Sequence, residues 1–133
     1  MDITIKDLEE RFIEYNQLYF NGKLKMPKFY INRWFCGIYG SYGHDKDGSP
    51  LISIRNNKGA KITEEELKDT LIHEMLHYYM DKNWFLRIDS ACHLLCWQLV
   101  RIYMNLKYGL HITTYPKKRK KRPMKNKGRS KRN

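Results

Sequence analysis

Hydrophobic and polar residues in the N-terminal part of the chain follow a helical pattern and then strand patterns. Residues 4–20 have apolar residues at steps of three and four, which predicts a helix with one buried face: Ile5, Leu8, Phe12, Tyr15 and Tyr19. The Asn21-Gly22 pair predicts the end of this helix, because both residues tolerate a left-handed backbone. Segments rich in aromatic and β-branched residues then predict a small antiparallel or mixed sheet from KFYINRWF, GIYGSYG and PLISIR.

A second helix is predicted to begin near residue 63. Thr63 followed three positions later by Glu66 is a capping-box signature, which is typical of a helix N-terminus. The apolar stripe of this helix is predicted to contain Leu67, Leu71, Met75 and Tyr78.

A third helix is predicted after a connection at residues 81–88. Asp89 or Ser90 would cap its start, and it would run to about Lys107 and stop at Gly109. Residues 111–116 are expected to add a short extended segment. The apolar positions of the third helix are predicted to be Leu94, Leu95, Val100, Ile102 and Leu106. Together these elements predict an α+β fold.

The positive charge of the chain is concentrated at its C-terminal end. Of the 26 Lys and Arg residues, 11 lie in residues 117–133 and 15 precede them, against 14 Asp and Glu residues, none of which is in 117–133. Residues 1–116 are therefore nearly neutral and are predicted to form one domain. Residues 117–133 are predicted to be a disordered basic tail that binds nucleic acid through phosphate contacts. The alternative is a tail that only aids solubility or localisation.

Composition narrows the class of protein. The 133 residues are 41% hydrophobic and 14% aromatic, which suits one domain with an apolar core. The cysteines Cys36, Cys92 and Cys96 form no C-x-x-C pair, so no disulfide framework or zinc ribbon is predicted, and Cys92 and Cys96 are expected as small buried residues. Neither a secretory signal nor a membrane span is expected. We therefore expect an intracellular monomer, either cytoplasmic or nucleoid-associated.

The predicted second helix contains the segment TLIHEMLHYYM, in which two histidines lie four residues apart. Residues at this spacing share a helical face, so His73 and His77 can bind one metal ion. Glu74 lies close enough to act on a metal-bound water without being a ligand, as in H-E-x-x-H peptidases. The alternative is a pair of partly exposed histidines on an ordinary helix surface. The apolar surroundings favour the metal site, because buried imidazole and carboxylate groups need partners.

A catalytic Zn²⁺ usually takes three protein ligands. No glutamate follows Glu74, and the sequence leaves Asp81, Asp89, His93 and His111 as candidates for the third ligand. We favour His93, because it follows a connection long enough to reverse the chain direction. Asp89 would cap the third helix or orient a ligand imidazole, and His44 is expected to be exposed in a turn.

The chain resembles the SprT-like zinc metallopeptidase domain, which includes the Spartan proteases of DNA–protein crosslink repair. The resemblance covers residues 8–110 and depends on FIEYNQLYFNGKL, CGIYG, ELKDTLIHEMLHYY, and His93 followed by Trp97. It implies a zincin-like fold, Zn²⁺ bound by His73, His77 and His93, and Glu74 as the catalytic base. Two features depart from the family: Leu94 replaces a common glycine, and there is no downstream cysteine zinc ribbon. We therefore expect a minimal, bacterial or phage-encoded version.

The function expected from these features is a zinc-dependent endopeptidase that cuts proteins bound to or near DNA. The resemblance implies that an edge strand aligns an extended protein substrate, while Tyr42, Tyr78 and Tyr79 are unranked candidates for stabilising the oxyanion. One alternative is a non-enzymatic nucleic-acid-binding protein with a structural zinc. Another is a peptidase specific for one regulatory protein.

Overall fold

The computed structural model describes residues 2–33, 40–56, 61–83 and 90–113, and within these ranges all side chains except those of residues 83 and 90–95. The described residues form an α+β fold of three helices and one three-stranded mixed sheet, which confirms the predicted class. In chain order the elements are α1 (Ile5–Tyr19), β1 (Lys28–Asn32), β2 (Gly40–His44), β3 (Pro50–Arg55), α2 (Glu64–Asn83) and α3 (Ser90–Tyr108). The predicted tail, 117–133, lies outside the described residues.

The sheet is built around β3. β1 pairs with β3 in parallel, from Lys28 opposite Leu51 to Asn32 opposite Arg55. β2 pairs with β3 antiparallel, so of the two predicted sheet types the mixed one is observed. Within the described residues β2 pairs with no other strand, and it therefore forms an edge of the sheet.

The turn between β2 and β3 is formed by the segment HDKDGSP, as its composition predicts. The Asp45 carboxylate oxygen Oδ1 accepts hydrogen bonds from the backbone N–H groups of Asp47 and Ser49, both at 2.9 Å. Gly48 has a φ of 81°, a conformation that glycine adopts without strain. An aspartate side chain that closes the turn in this way fixes the register of the hairpin.

Helix α1 packs against β1, and its start is fixed by side chains. Thr4 and Asp7 form a reciprocal capping box, with hydrogen bonds of 2.8 and 3.1 Å. Ile3 and Leu8, which occupy the two positions of a hydrophobic staple, are both buried. The sequence prediction was wrong for Ile5, which is 39% exposed, because the staple places Ile3 rather than the first helical residue in the core. The helix ends as predicted, with Asn21 and Gly22 in the left-handed conformation.

Helix α2 is the central element of the fold, packed against β2, β3 and α3. The predicted capping box is present: the Thr63 N–H group donates to Glu66 Oε1 at 3.0 Å, and the Glu66 N–H group donates to Thr63 Oγ1 at 3.1 Å. The predicted apolar stripe is confirmed, and every residue from 70 to 76 is buried. A helix buried around most of its circumference places its polar residues inside the protein as well.

Helix α3 ends at Tyr108, and Gly109 follows with a φ of 66°, as the sequence predicts. Its buried face agrees with the prediction only in part. Val100 packs partly buried against the core as predicted, and the side chains of Leu94 and Leu95 lie outside the described ones. Ile102 and Leu106 are 45% and 81% exposed, whereas Trp97 and Met104 are buried. The exposed pair and the buried pair are all apolar, so the sequence pattern alone does not determine which side of α3 contacts α2. No helix in the described part of the chain has the length and apolar character needed to cross a bilayer.

Candidate metal centre

Helix α2 brings His73, Glu74 and His77 together inside the protein. One possible ligand atom from each residue lies within 4.8 Å of those of the other two. His73 and Glu74 are each 2% exposed, and His77 is half-buried. A search of the described residues for three His, Cys, Asp or Glu side chains close enough to hold a metal ion finds this cluster. The alternative of two partly exposed histidines on a helix surface is therefore wrong for His73, which is buried, whereas His77 is partly exposed.

His73 is held in one orientation by the backbone that follows α3. Its Nδ1 atom lies 2.9 Å from the carbonyl oxygen of Thr113. A carbonyl oxygen only accepts hydrogen bonds, so Nδ1 carries the proton and Nε2 keeps its lone pair. Burial, followed by the proximity of His77, lowers the pKa of His73 to about 4. The imidazole is therefore neutral near pH 7, which is the form that binds metals.

Glu74 is a buried acid, 2% exposed. Its Oε2 atom has no hydrogen-bond partner among the described residues. Burial raises the pKa of Glu74 to about 8 in the absence of a cation. Desolvation of this kind is costly for the ionised form, and a nearby positive charge would offset the cost.

Trp97, from α3, forms one wall of the site. Its ring stacks on His77 with centroids 4.6 Å apart and planes inclined by 11°, and its centroid lies 4.8 Å from that of His73. Trp97 has no exposed surface, and its Nε1 atom has no hydrogen-bond partner within the described residues. The tryptophan therefore restricts both imidazole rings and excludes water from one side of them.

The residues present fit a Zn²⁺ ion. Two imidazoles with a carboxylate beside them are a donor set typical of zinc sites. The unpartnered Glu74 oxygen and the close pair of imidazoles are costly in an apolar interior, and a divalent cation would compensate for both. His73 also has the outer hydrogen bond that metal-binding histidines commonly make.

The four candidates for the third ligand lie in different parts of the chain, two of them outside the described side chains. His93 belongs to α3, but its side chain lies outside the described side chains, and Asp89 lies outside the described residues altogether. Asp81 is exposed and accepts a hydrogen bond from the Tyr42 hydroxyl group at 2.7 Å. His111 is exposed in the segment after α3 and does not belong to the metal-binding group.

The three tyrosine candidates for the oxyanion site differ in their surroundings. The Tyr42 hydroxyl donates to Asp81, and the Tyr78 hydroxyl donates to the carbonyl oxygen of Lys25 at 3.0 Å. These two rings stack on each other, 5.6 Å apart, and line a cavity of about 460 Å³ between β2 and the end of α2. Tyr79 contacts Phe20 instead. In this geometry the hydroxyl groups of Tyr42 and Tyr78 donate their protons to other acceptors and not toward an oxyanion.

Other predicted residues have ordinary roles. His44 is 48% exposed, as expected, but it ends β2 rather than lying in the turn, and its Nε2 atom is 3.6 Å from Asp81. Cys96 packs partly buried against the core, in agreement with the prediction. Cys36 and the side chain of Cys92 lie outside the described part of the structure.

The contact of His73 with the Thr113 carbonyl group was not predicted from the sequence. A backbone carbonyl carries no residue-specific signal, and position 113 is separated from His73 by 40 residues. Comparison of the sequence with protein-family models and with curated proteins finds no match. The interpretation of the site therefore depends on its residues and their geometry.

Proposed function

We propose that the protein is a zinc-dependent endopeptidase of the SprT-like type, with a zincin-like arrangement of its metal-binding helix. The observation that carries this proposal is the buried cluster of His73, Glu74 and His77 within 4.8 Å of one another. A structural zinc does not require an unpartnered buried carboxylate beside it, whereas hydrolysis requires a base at this place. The cluster therefore favours catalysis over a purely structural site.

The residues have separate tasks in peptide hydrolysis. A zinc ion held here would act as a Lewis acid, polarising the scissile carbonyl group and acidifying the attacking water. The imidazoles of His73 and His77 bind through nitrogen. Glu74 accepts the proton of the water and passes it to the leaving amine, which is the role that its apolar surroundings favour by making its carboxylate a stronger base.

We propose His93 as the third ligand. Trp97 shows that α3 approaches the two imidazoles on the side where its ring contacts them. Positions 93 and 97 are four residues apart, and helical spacing places such positions on one face. His93 would therefore approach the site one helical turn before Trp97.

The protein substrate would bind in extended form along β2. This strand is an edge of the described sheet and packs against α2, the helix that carries the metal-binding residues. An edge strand offers backbone hydrogen bonds to an added strand, which holds a substrate independently of its sequence. The cavity beside Tyr42 and Tyr78 would receive one of the substrate side chains.

The basic tail would bring the peptidase to its substrates. Its 11 Lys and Arg residues without any acidic residue favour contacts with the phosphates of nucleic acid. Proteins bound to or near DNA are then the natural substrate class. An activity that is indifferent to DNA and limited to one protein would instead favour a peptidase for a single regulator.

The test combines metal analysis with a substrate assay. Purified wild-type protein should contain one zinc per chain and cleave an unstructured protein such as casein, and chelation should abolish cleavage. Glu74→Gln should retain zinc and lose cleavage by about 100-fold or more, because it removes the base. Full activity in Glu74→Gln would refute the assigned mechanism, while zinc binding without any cleavage by wild type would favour the structural-zinc alternative.

A further inference from the structure

The segment that follows α3 is tied to that helix by one asparagine. The Asn105 side-chain amide donates through Nδ2 to the carbonyl oxygen of Ile112 at 3.0 Å, and its Oδ1 atom accepts from the Ile112 N–H group at 2.8 Å. Arg101 donates a second hydrogen bond to the same carbonyl oxygen, at 3.1 Å. Leu110 and Ile112 are buried, so the segment is also anchored by its apolar side chains.

This anchored segment ends at the metal centre. Thr113 is the next residue after Ile112, and its carbonyl oxygen accepts from His73 Nδ1 at 2.9 Å. A neutral imidazole has one N–H group, and the hydrogen bond at one nitrogen determines which nitrogen remains a lone-pair donor. A shift in the backbone at Ile112 would therefore move the Thr113 carbonyl oxygen away from Nδ1 of His73. Without that acceptor, the proton would no longer be held on Nδ1, and Nε2 would not be reserved for the metal.

We propose that residues 110–113 form a positioning strap for the metal centre, with Asn105 as the residue that holds it. The strap fixes His73 as the Nδ1–H tautomer and aims Nε2 at the cation, while Arg101 gives secondary support. Asn105 is thus a positioning residue, which acts on the metal ligand through the backbone and touches neither metal nor substrate. The proposal rests on the metal site proposed above and adds the element that orders it before the metal binds.

The chain contains a matched control for this interaction. Asn16 in α1 makes the same pair of hydrogen bonds to a segment beyond its helix: Nδ2 donates to the Leu24 carbonyl oxygen at 2.8 Å, and Oδ1 accepts from the Leu24 N–H group at 3.2 Å. That segment lies outside the metal-binding group. Asn16→Leu and Asn105→Leu therefore remove the same chemistry from two places, only one of which leads to His73.

The test uses the full chain and two measurements. Long-range ¹H–¹⁵N correlation spectra of the metal-free protein report the tautomer of His73, assigned with a His73→Gln variant. Competition with a chromophoric chelator gives the zinc affinity. Wild type and Asn16→Leu should show the Nδ1–H tautomer and equal zinc affinity. Asn105→Leu should show a mixture of tautomers and bind zinc about 10-fold to 100-fold more weakly, the range typical for loss of an outer partner of a metal ligand.

A second variant covers the case in which Asn105→Leu does not fold. Asn105→Asp retains the acceptor for the Ile112 N–H group but loses the donor to its carbonyl oxygen, so its zinc affinity should lie between those of wild type and Asn105→Leu. The proposal is overturned if wild-type His73 carries its proton on Nε2, or if Asn105→Leu and Asn16→Leu behave alike. Absence of zinc binding in wild type would refute the metal site instead, and the tautomer measurement would still decide the role of the strap.

Discussion

Glu74 should make the stability of the metal-free protein fall as pH rises. Burial raises the pKa of this carboxyl group in the folded state to about 8, against an ordinary value of 4.5. A group whose pKa is raised on folding contributes most below its unfolded pKa, and the contribution is lost as pH rises toward the folded pKa. The relevant window is therefore pH 4.5 to 8.

The size of this pH dependence follows from the difference between the folded and unfolded pKa of Glu74. Within this window each pH unit changes the free energy of unfolding by about 1.4 kcal/mol. Between pH 5 and 7, wild type should lose about 2.5 kcal/mol through Glu74, to order of magnitude, and Glu74→Gln should not show this loss. His73 acts in the opposite direction, since its pKa is lowered to about 4, and stability from it rises with pH up to its unfolded pKa near 6.5. That contribution is common to both proteins.

The assay is urea unfolding of both proteins at pH 5, 6 and 7 with a chelator present. The free energy of unfolding of Glu74→Gln minus that of wild type should rise steadily with pH. Glu10→Gln, at an exposed position of α1, is the control and should give a difference independent of pH. Added zinc should reduce the dependence for Glu74, because a cation favours the ionised carboxylate. If the difference in free energy of unfolding between Glu74→Gln and wild type does not change with pH, the Glu74 carboxyl group is not withdrawn from water.

Three further changes test other parts of the structure. Gly40→Ala should lower the free energy of unfolding by about 1–3 kcal/mol in urea titrations, because its new Cβ atom would lie 2.8 Å from a side chain of α2 and 2.9 Å from a β3 carbonyl oxygen, whereas Gly43→Ala meets nothing within 4 Å and should be tolerated. Cobalt(II) added to metal-free protein should quench Trp97 emission, since the ring stacks on His77 at 4.6 Å, and Trp97→Phe should lose that part of the quenching. Deletion of residues 117–133 should abolish salt-dependent DNA binding in fluorescence anisotropy titrations while zinc affinity is retained; unchanged DNA affinity would refute the role of the tail.

The parts of the fold with strong local signals were predictable from the sequence. The Thr63–Glu66 capping box, the turn at Asp45 and the stop at Gly109 depend on neighbouring residues, and the structure shows all three. The H-E-x-x-H spacing likewise placed His73 and His77 on one helical face, because helix geometry alone determines that relation.

Features that depend on packing between distant segments were not predictable. Ile102 and Leu106 have the spacing of a buried stripe, but Trp97 and Met104 face the core, because the docking angle of α3 selects among several apolar faces. The Thr113 carbonyl contact with His73 depends on the chain path after α3. Periodicity along a sequence contains no information about the docking angle of a helix or about the path of the chain after it.

The most direct test of the central claim is anomalous diffraction at the zinc absorption edge from crystals of the zinc-bound full chain. We expect one strong peak about 2.0–2.1 Å from Nε2 of His73 and from ring nitrogens of His77 and His93, with Glu74 beside it but not bound. A peak elsewhere, or none between His73 and His77, would contradict the metal centre. A peak there with His93 pointing away and no other third protein ligand would contradict the catalytic site.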